Sequence, residues 1–507
     1  MPATPSTPAD PVRAAILVIA GALALRLAMG LAIGLGTDEI YTVAVSRQLS
    51  LSYFDHPPLH QWLTHGAAAL LGEGRQVRLP FMMLFAATSW LLFSMTQRLY
   101  GAEAGFWAVV ALNLAGFFTL SAGSWVVPDG TLLFGLALAG AGLARLLFPI
   151  KDEEPRPWRA WLIVGLGFGI AGLSKYQAAV IALGALGFIA AHPRGRALLA
   201  HPAPWAAGAL ALILVLPVLI WNAENGWVSF LFQSGRTQGG GFAPWLAPLS
   251  LLAQAGWLLP WVFAPLAAGL ALAWRTARDA RLGFLLALGL PTILLFTLLP
   301  MLGNPGLPHW AMPGWFFIMP LAGLHLAKLA AEGPRAARWA RISAIGSIAV
   351  LALLASHAAT GWITRLAPAL VRADPTIETF GWDQLPGELA RLGLPRAGGF
   401  VIADNWQNAG RIDVALGGRV PVLAGTLDPR HYAFVTDQAG LIGRDGVAVV
   451  RARREAQMRA LLAPHARSLG PSTPIALGRG SLREIELVAI PVSGFDKPLP
   501  WAYGRRP

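Results

Sequence analysis

A series of eleven apolar segments constrains this chain more than any other feature of its sequence. Each is close to the ~20 residues that an α-helix needs to cross a bilayer. They fall at about 13–34, 79–99, 105–124, 130–148, 160–174, 176–191, 204–221, 249–273, 282–302, 310–331 and 342–362. Because the lipid interior offers the backbone no hydrogen-bond partner, each segment is expected to be helical. The sequence therefore predicts a mainly α-helical, polytopic membrane protein with about eleven transmembrane helices.

The composition supports this assignment and argues against other classes. The 507 residues are 55% hydrophobic and 13% charged, with a mean hydropathy of +0.55, whereas soluble domains carry about 25% charged residues. The net charge of +13 could suggest a nucleic-acid partner, but the basic residues stand in short loops between apolar segments. That is the pattern of topology determinants, so no nucleic-acid partner is expected. The absence of Cys excludes disulfides and thiolate chemistry.

Lysine and arginine residues divide the connecting loops into two sets. One set carries Arg98, Lys151, Arg156, Arg159, Arg194, Arg196, Arg275, Arg278, Arg281, Lys328, Arg335, Arg338 and Arg341. Since basic residues concentrate in cytoplasmic loops, this set predicts a bacterial inner-membrane protein with a cytoplasmic N-terminus. Loops 35–78 and 222–248, and the chain after about residue 363, are then expected to face the periplasm.

A change of composition near residue 364 predicts a second domain. The runs GGFVIADNW, RVPVLAG, DGVAVVRA and REIELVAIPV are short and β-branched, with Gly, Pro or Asp near their ends, as is typical of strands. Glu455 to Leu462 has a helical pattern. We therefore predict a transmembrane domain over 1–363, with periplasmic loops 35–78 and 222–248, and a periplasmic α/β domain over 364–507.

The stretch from Gly36 to Leu59, GTDEIYTVAVSRQLSLSYFDHPPL, concentrates ionisable residues beside the bilayer. Such groups are costly there and usually functional. Ile40 to Leu51 is predicted to form a helix along the membrane surface. Asp38 and Glu39 are the catalytic candidates, because a carboxylate at this position can take a proton from an acceptor hydroxyl or amine. Alternatively, the pair only complements the dipole of the surface helix.

Two further acidic positions are predicted at the same face. Tyr53, Asp55 and His56 precede a rigid Pro-Pro turn, and they could bind a divalent cation or a phosphate-bearing donor, or form only a turn. Asp129 lies in WVVPDG, where Pro-Asp-Gly is a common turn, but the topology brings it to the face of Asp55. Asp55 and Asp129 are the candidate metal ligands, and Tyr53 and His56 the candidate donor contacts.

Three basic residues are candidates for binding the phosphate of a donor. Lys175 in GLSKYQAAV interrupts an apolar run, and it either extends to the interface or neutralises a phosphate. Arg236 belongs to the aromatic, Gly-rich loop 222–248, which is either a lid over a lipid-linked ligand or an interfacial aromatic belt. His309 in GNPGLPHW is the third candidate, although a lone His is more often structural than catalytic.

Together these residues resemble the membrane glycosyltransferases of the protein-mannosyltransferase and aminoarabinose-transferase type, similar to glycosyltransferase family 39. The resemblance covers about residues 13–331 and rests on GTDEIYTVAVSRQLSLSYFDHPPL, VPDG, GLSKYQAAV and WNAENGWVSFLFQSGR. It implies the integral-membrane fold called GT-C, a polyprenyl-phosphate sugar donor and an essential carboxylate at Asp38. The aminoarabinose branch has an acid and a Lys before Pro-Pro, at the positions of Asp55 and His56. That branch can also bind zinc, through positions matching Asp55 and Asp129, so a divalent metal (Zn, Mg or Mn) is a candidate cofactor.

These inferences combine into one function and one alternative. The chain is expected to transfer a sugar from a polyprenyl-phosphate donor to an acceptor at the periplasmic face, with inversion at the anomeric carbon. The acceptor could be lipid A, another envelope glycan, a lipid or a protein. The alternative is a lipid or sugar transporter or flippase, but those proteins place ionisable groups mid-membrane and show repeat symmetry. Neither feature is evident in this sequence.

Overall fold

Most of the described chain is helical. The computed structural model describes residues 8–150, 156–236, 241–275, 279–304, 306–479, 482–501 and 503. The helices before the C-terminal sheet are α1 (Pro11–Ala32), α2 (Thr37–Ser46), α3 (Leu59–Leu71), α4 (Leu79–Tyr100), α5 (Ala102–Leu114), α6 (Gly116–Ser124), α7 (Pro128–Leu147), α8 (Pro157–Gly172), α9 (Ala178–Ala191), α10 (Pro193–Leu199), α11 (Pro202–Glu224), α12 (Val228–Gly235), α13 (Leu246–Leu258), α14 (Pro260–Trp274), α15 (Ala280–Leu298), α16 (Met312–Ala331), α17 (Arg335–Thr360), α18 (Trp362–Leu366) and α19 (Leu385–Arg391).

The apolar helices correspond to the predicted membrane spans. Within the described residues, seven helical segments are long and apolar enough to cross a membrane: Pro11–Ala32, Arg75–Tyr100, Pro128–Leu147, Pro202–Glu224, Ala280–Leu302, Pro308–Ala331 and Arg335–Thr360. Three helix pairs also qualify but are bent, α5 with α6 by 78°, α9 with α10 by 100°, and α13 with α14 by 113°. The predicted span at 160–174 coincides with α8, whose 16 residues are shorter than a usual span. The chain is thus a multi-pass membrane protein of the predicted class, while the count of eleven spans stays a prediction.

Helices α7 and α8 approach closely because both place glycine at their contact. A Cβ atom on Gly135 would lie 2.6 Å from the carbonyl oxygen of Gly167, and one on Gly167 would lie 2.5 Å from the backbone nitrogen of Ala139. Small residues of this kind let helix backbones meet inside a membrane. The contact holds α7 against α8, and the start of α7 and the turn after α8 carry Asp129 and Lys175.

The helix predicted from Ile40 to Leu51, in loop 35–78, begins earlier and ends earlier than predicted. Helix α2 begins at Thr37, and the Glu39 side chain accepts a hydrogen bond from the Gly36 backbone nitrogen at 2.8 Å, which satisfies one unpaired N–H group of the first turn. Beyond Ser46 the chain is held by tertiary contacts instead, since Gln48 Nε2 donates to the Val435 carbonyl oxygen at 3.1 Å. Helix α3, which follows the Pro-Pro turn, was not predicted.

A mixed sheet forms the centre of the C-terminal part. Its strands are β1 (Phe400–Ala403), β2 (Val422–Ala424), β3 (Gly446–Arg451), β4 (Ala466–Leu469), β5 (Thr473–Leu477) and β6 (Ile485–Phe495), and its helices are α20 (Trp406–Ala415), α21 (Tyr432–Val435) and α22 (Glu455–Leu462). The order is β2-β1-β3-β6-β4, with β5 also paired to β6. Strand β1 is parallel to β2 and β3, whereas β6 is antiparallel to its partners. The four predicted strand runs and the predicted helix at 455–462 fall on observed elements, and β4 and β5 were missed.

One face of this sheet packs against loop 35–78. Val401 and Ala403 share a buried core with Tyr41 and Tyr53 of that loop. The other face, with Phe400 and Ile402, packs on α22. Gly410 of α20 lies against α2 so closely that a Cβ atom would be 3.0 Å from the Tyr41 Cα atom. The C-terminal domain therefore holds α2, the helix that carries Asp38 in its first turn.

Candidate active site

A cavity of about 580 Å³ lies where α2, the start of α7, the segment after α8, α12 and the C-terminal domain meet. Its walls include seven of the nine predicted site residues: Asp38, Asp55, His56, Asp129, Lys175, Arg236 and His309. Glu39 and Tyr53 are not among its lining residues. Residues from three separate connecting segments and two spans thus converge on one polar cavity.

Asp38 presents a carboxylate to this cavity from the first turn of α2. Its side chain is exposed. Its carbonyl oxygen accepts a hydrogen bond from Thr42 Oγ1 at 2.7 Å, one helical turn later. A carboxylate in a first helical turn is also stabilised by the helix dipole, so both sequence-based interpretations of Asp38 are compatible with its position.

Glu39 points away from the cavity into a buried ion pair. It is 2% exposed. Its Oε1 atom accepts from Arg78 Nε at 2.7 Å and from the Val126 backbone nitrogen at 3.0 Å. These bonds, with that from Gly36, tie α2 to the segments before α4 and α7. The arrangement favours a positioning role, and a catalytic role for Glu39 stays an untested prediction.

Asp129 and Lys175 form a buried ion pair at one wall of the cavity. Lys175 Nζ lies 2.9 Å from Asp129 Oδ1, and the side chains are 7% and 6% exposed. His309 lines the same wall and lies parallel to the Phe117 ring at 6.4 Å between centroids. Lys175 is therefore directed into the protein and does not extend to the membrane interface.

The Asp55 carboxylate also has polar partners, one on each oxygen. Its Oδ1 atom accepts from the Tyr41 hydroxyl at 3.1 Å, and its Oδ2 atom lies 3.5 Å from Arg430 Nη1. Gln233 Nε2 donates to the Asp55 carbonyl oxygen at 2.7 Å. These contacts fix the Pro-Pro turn against both α12 and the C-terminal domain.

The predicted metal ligands do not form a metal site in this arrangement. Asp55 and Asp129 line the same cavity, as predicted, but each carboxylate already has a cationic partner. Among the described residues, no group of three or more His, Asp or Glu side chains is placed to share an ion. The residues present therefore do not fit a bound metal in this arrangement, and the metal stays an untested prediction.

His56 and Tyr53 occupy different environments. Burial, with Lys175 nearby, holds the pKa of His56 well below its ordinary value, so this side chain is neutral near pH 7. Its Nδ1 atom is buried and has no hydrogen-bond partner among the described residues. Tyr53 instead donates to the Gln48 carbonyl oxygen at 2.9 Å and packs on His431, with 4.6 Å between ring centroids. His56 can thus contact a ligand as a neutral group, whereas the contacts of Tyr53 are structural.

Arg236 ends α12 and lies on an aromatic surface. Its guanidinium carbon is 4.7 Å from the Trp310 ring centroid and 5.6 Å from that of Phe232. Burial and the neighbouring charge of Arg430 lower the pKa of Arg236. No carboxylate within the described residues forms an ion pair with it. Arg236 is consequently a cation at the cavity wall that an anionic ligand would stabilise.

Sequence reasoning missed the contribution of the C-terminal domain to this cavity. Trp406, at the start of α20, and Arg430, before α21, both line it. They lie in DNW and LDPRHY, which match no motif, and both are far along the chain from loop 35–78. Only the packing of α20 on α2 brings them to Asp55, so no local signal could have identified them.

A second, larger cavity lies between the membrane helices. It has a volume of about 1080 Å³ and is lined mainly by apolar side chains of α1, α5, α13 and α17. Trp257 lines both this cavity and the polar one. The Trp257 side chain is therefore a shared wall of an apolar cavity and a charged one.

Comparison of this chain with known proteins identifies its architecture. ArnT from Cupriavidus metallidurans, in the apo state, superimposes with a TM-score of 0.63 over 94% of this chain and 97% of ArnT, at 15% identity. This chain has the ArnT fold. The structure of ArnT bound to undecaprenyl phosphate superimposes with the same TM-score of 0.63, at 16% identity, over 95% of this chain and 99% of that one. The ArnT fold comprises both the helical domain and the C-terminal sheet domain, which together surround the polar cavity described above.

Sequence relatives cover less of the chain. A family model for dolichyl-phosphate-mannose-protein mannosyltransferases matches residues 55–221. Two proteins of Rhizobium johnstonii are each 27% identical: the lipid A galacturonosyltransferase RgtD over 191 residues and the lipopolysaccharide core galacturonosyltransferase RgtB over 199 residues. These matches span 37% and 38% of this chain, and 38% of each relative. The family-model match includes the Asp55 turn, Asp129 and Lys175, but not the C-terminal domain.

Proposed function

We propose that this protein is a glycosyltransferase that transfers a sugar from a polyprenyl-phosphate donor to an envelope acceptor at the periplasmic face of the inner membrane. The observation that carries the proposal is that one side chain, Trp257, lines both an apolar cavity and a charged one. A polyprenyl-phosphate sugar is itself an apolar chain joined to a charged head group. The large apolar cavity suits the chain, and the polar cavity, with Asp38, Lys175 and Arg236, suits the head group.

The chemistry is substitution at the anomeric carbon of the donor sugar. Asp38, exposed in the cavity, accepts the proton of the attacking hydroxyl or amine as the new glycosidic bond forms. The bond to the phosphate oxygen breaks, and the developing negative charge is stabilised by Lys175 and Arg236 at the cavity wall. A single displacement of this kind inverts the anomeric centre. His56, which is neutral near pH 7, and His309 contribute hydrogen bonds to the head group.

The basic loops support the side of the membrane on which the reaction occurs, and the sequence relatives support the class of acceptor. The basic loops counted in the sequence favour a cytoplasmic N-terminus, which leaves the polar cavity and the C-terminal domain on the periplasmic side. The names of RgtD and RgtB specify lipid A and lipopolysaccharide core as acceptors and galacturonic acid as the sugar. These names support an envelope glycolipid as the acceptor. Other glycans, lipids and proteins are the alternative acceptors.

The direct test is transfer by the purified full chain in detergent or nanodiscs. Undecaprenyl-phosphate sugars are supplied with lipid A or with an envelope lipid extract, and products are identified by mass spectrometry. Asp38→Asn preserves the shape and removes the charge, so transfer should fall by at least ~10²-fold while donor binding survives. Asp496→Asn, at an exposed position of the C-terminal domain, is the matched control and should transfer normally. Absence of transfer from every lipid-phosphate sugar would refute the proposal, and a near wild-type rate in Asp38→Asn would remove Asp38 as the base.

A further inference from the structure

A row of buried polar side chains runs from strand β1 along helix α20 to the start of α2. Asp404 follows β1 directly, and its Oδ1 atom accepts a hydrogen bond from Asn408 Nδ2 at 2.6 Å. Asn408 Oδ1 accepts in turn from Arg411 Nη1 at 2.7 Å, and Arg411 Nη2 donates to Thr37 Oγ1. The three residues of the C-terminal domain are all buried. The row therefore ends on the residue that precedes Asp38.

Contacts within the C-terminal domain fix the Arg411 side chain. Asn405 caps α20, because its Oδ1 atom accepts from the Asn408 backbone nitrogen at 2.8 Å. Asn408 and Arg411 are three residues apart on this helix, so their side chains lie on one face. The Arg411 guanidinium also lies over the Trp382 ring, with 5.4 Å between its carbon and the ring centroid. The guanidinium is thus held in one place where α20 meets α2.

The first turn of α2 depends on contacts from outside the helix. The first N–H groups of a helix have no intrahelical partner, and helix ends fray. Asp38 stands in this turn with its side chain exposed to the polar cavity. A misplacement of about 1 Å at a reacting group can lower a rate by ~10²-fold. A contact that holds the turn in place therefore bears directly on the proton transfer assigned to Asp38.

A second contact between α20 and the Asp38 helix lies at the opposite end of α2. Arg47, which follows α2, forms an ion pair with Asp413 of α20 through its Nη1 atom. The Tyr432 hydroxyl donates to the other Asp413 carboxylate oxygen at 3.1 Å. Loss of the Asp413 charge therefore weakens the packing of α20 on α2 without altering the hydrogen bond to Thr37.

We propose that Arg411 is a positioning residue for sugar transfer, which acts through Thr37 to hold the Asp38 carboxylate against the attacking hydroxyl or amine. This inference rests on the proposed function, in which Asp38 is the base. Arg411 is not among the residues that line the polar cavity, so it acts at one remove from the substrates. A guanidinium suits this role because two of its nitrogens donate at once, one within the C-terminal domain and one to α2.

The test separates the rate of transfer from binding and from folding. Arg411→Gln and Thr37→Val are prepared as full chains; kcat is measured with the undecaprenyl-phosphate sugar that supports transfer, and affinity with undecaprenyl phosphate. Each variant should lower kcat by about 10- to 10²-fold. The affinity should not change, because Lys175 and Arg236 still line the cavity. Arg411→Lys should recover part of kcat, since one ammonium keeps the charge but lacks the fixed fork.

The double variant shows whether the two residues act as one unit. If Arg411 acts through Thr37, then Arg411→Gln combined with Thr37→Val should lose no more kcat than the worse single variant. Asp413→Asn is the matched control, because it weakens the same helix contact at the other end of α2. It should lower the melting temperature and leave kcat near the wild-type value.

The outcomes distinguish this inference from the proposed function. A near wild-type kcat in Arg411→Gln, an equal loss of kcat in Asp413→Asn, or multiplied losses in the double variant would overturn the role of Arg411 and leave the proposed function intact. If Arg411→Gln does not fold, Thr37→Val decides alone, and an unchanged kcat in that variant overturns the inference. Failure of the wild type to use any lipid-phosphate sugar would overturn both.

Discussion

Lys175 Nζ lies 2.9 Å from Asp129 Oδ1, and both side chains are buried at the wall of the polar cavity. The close packing of α7 on α8 brings the two residues together, because Gly135 and Gly167 let the helix backbones meet. The packing of α7 on α8 therefore determines where these two charges lie in the wall of the cavity.

Removing one member of this pair should damage both activity and stability. Asp129→Asn and Lys175→Met each leave a buried charge without its partner, which costs about 3–5 kcal/mol in comparable sites. The double variant should be less destabilised than the sum of the single variants, since neither charge remains. Thermal unfolding and turnover of the four proteins test this double-mutant cycle. If the losses of stability in the two single variants simply add in the double variant, the Asp129–Lys175 ion pair does not contribute to stability.

Glu39→Gln should affect stability more than the chemical step. Glu39 binds Arg78 and the Val126 nitrogen and does not line the cavity. The amide keeps the shape but removes the charge that Arg78 requires, so the melting temperature should fall while kcat changes by less than in Asp38→Asn. Arg78→Lys should give a similar thermal shift. If Glu39→Gln folds like the wild type but loses transfer as severely as Asp38→Asn, Glu39 is itself catalytic.

Treatment with EDTA should leave transfer unchanged. Asp55 and Asp129 are each bound by a cationic side chain and, among the described residues, belong to no cluster that could hold an ion. If Asp55 and Asp129 instead share a divalent ion, EDTA should inhibit transfer and added Zn²⁺, Mg²⁺ or Mn²⁺ should restore it. Activity of the metal-depleted enzyme, with metal content measured by mass spectrometry, decides between these expectations.

Stability should fall as the pH drops below about 6.5. Burial lowers the pKa of His431 from 6.5 to about 4, so the unfolded chain takes up this proton at higher pH than the folded chain does. The stabilisation is complete above 6.5 and is lost as the pH falls towards 4. His431→Asn keeps an acceptor for the Phe54 nitrogen but cannot titrate. Its melting temperature should therefore decline less steeply than that of the wild type over this range, and parallel declines would exclude His431 as the cause.

Reporter fusions test the proposed orientation. Fusions after Arg159 and after Arg281 should give a cytoplasmic signal, because these residues belong to the strongly basic set of loops. A fusion after Pro375 should give a periplasmic signal. A cytoplasmic signal from the last fusion would place the polar cavity on the wrong side for a periplasmic acceptor.

The sequence by itself predicted the membrane class, the helical architecture and the sheet of the C-terminal part. These features depend on local hydrophobicity and on β-branched runs, which act over ~20 residues or fewer. It also located most of the polar cavity, since Asp38, Asp55, Asp129 and Lys175 all stand beside apolar segments whose topology aligns them. Membrane insertion makes such alignment predictable, because every loop must lie on one of two sides.

Only the tertiary structure decided which partner each charged group meets. Two adjacent residues have different surroundings, because Asp38 lines the cavity whereas Glu39 is buried against Arg78. Arg430 reaches Asp55 from 375 residues away along the chain. Its position depends on the close packing of α20 on α2 at Gly410 and on the burial of His431. Such contacts are set by side-chain packing between distant segments, which leaves no periodic or local signal in a single sequence.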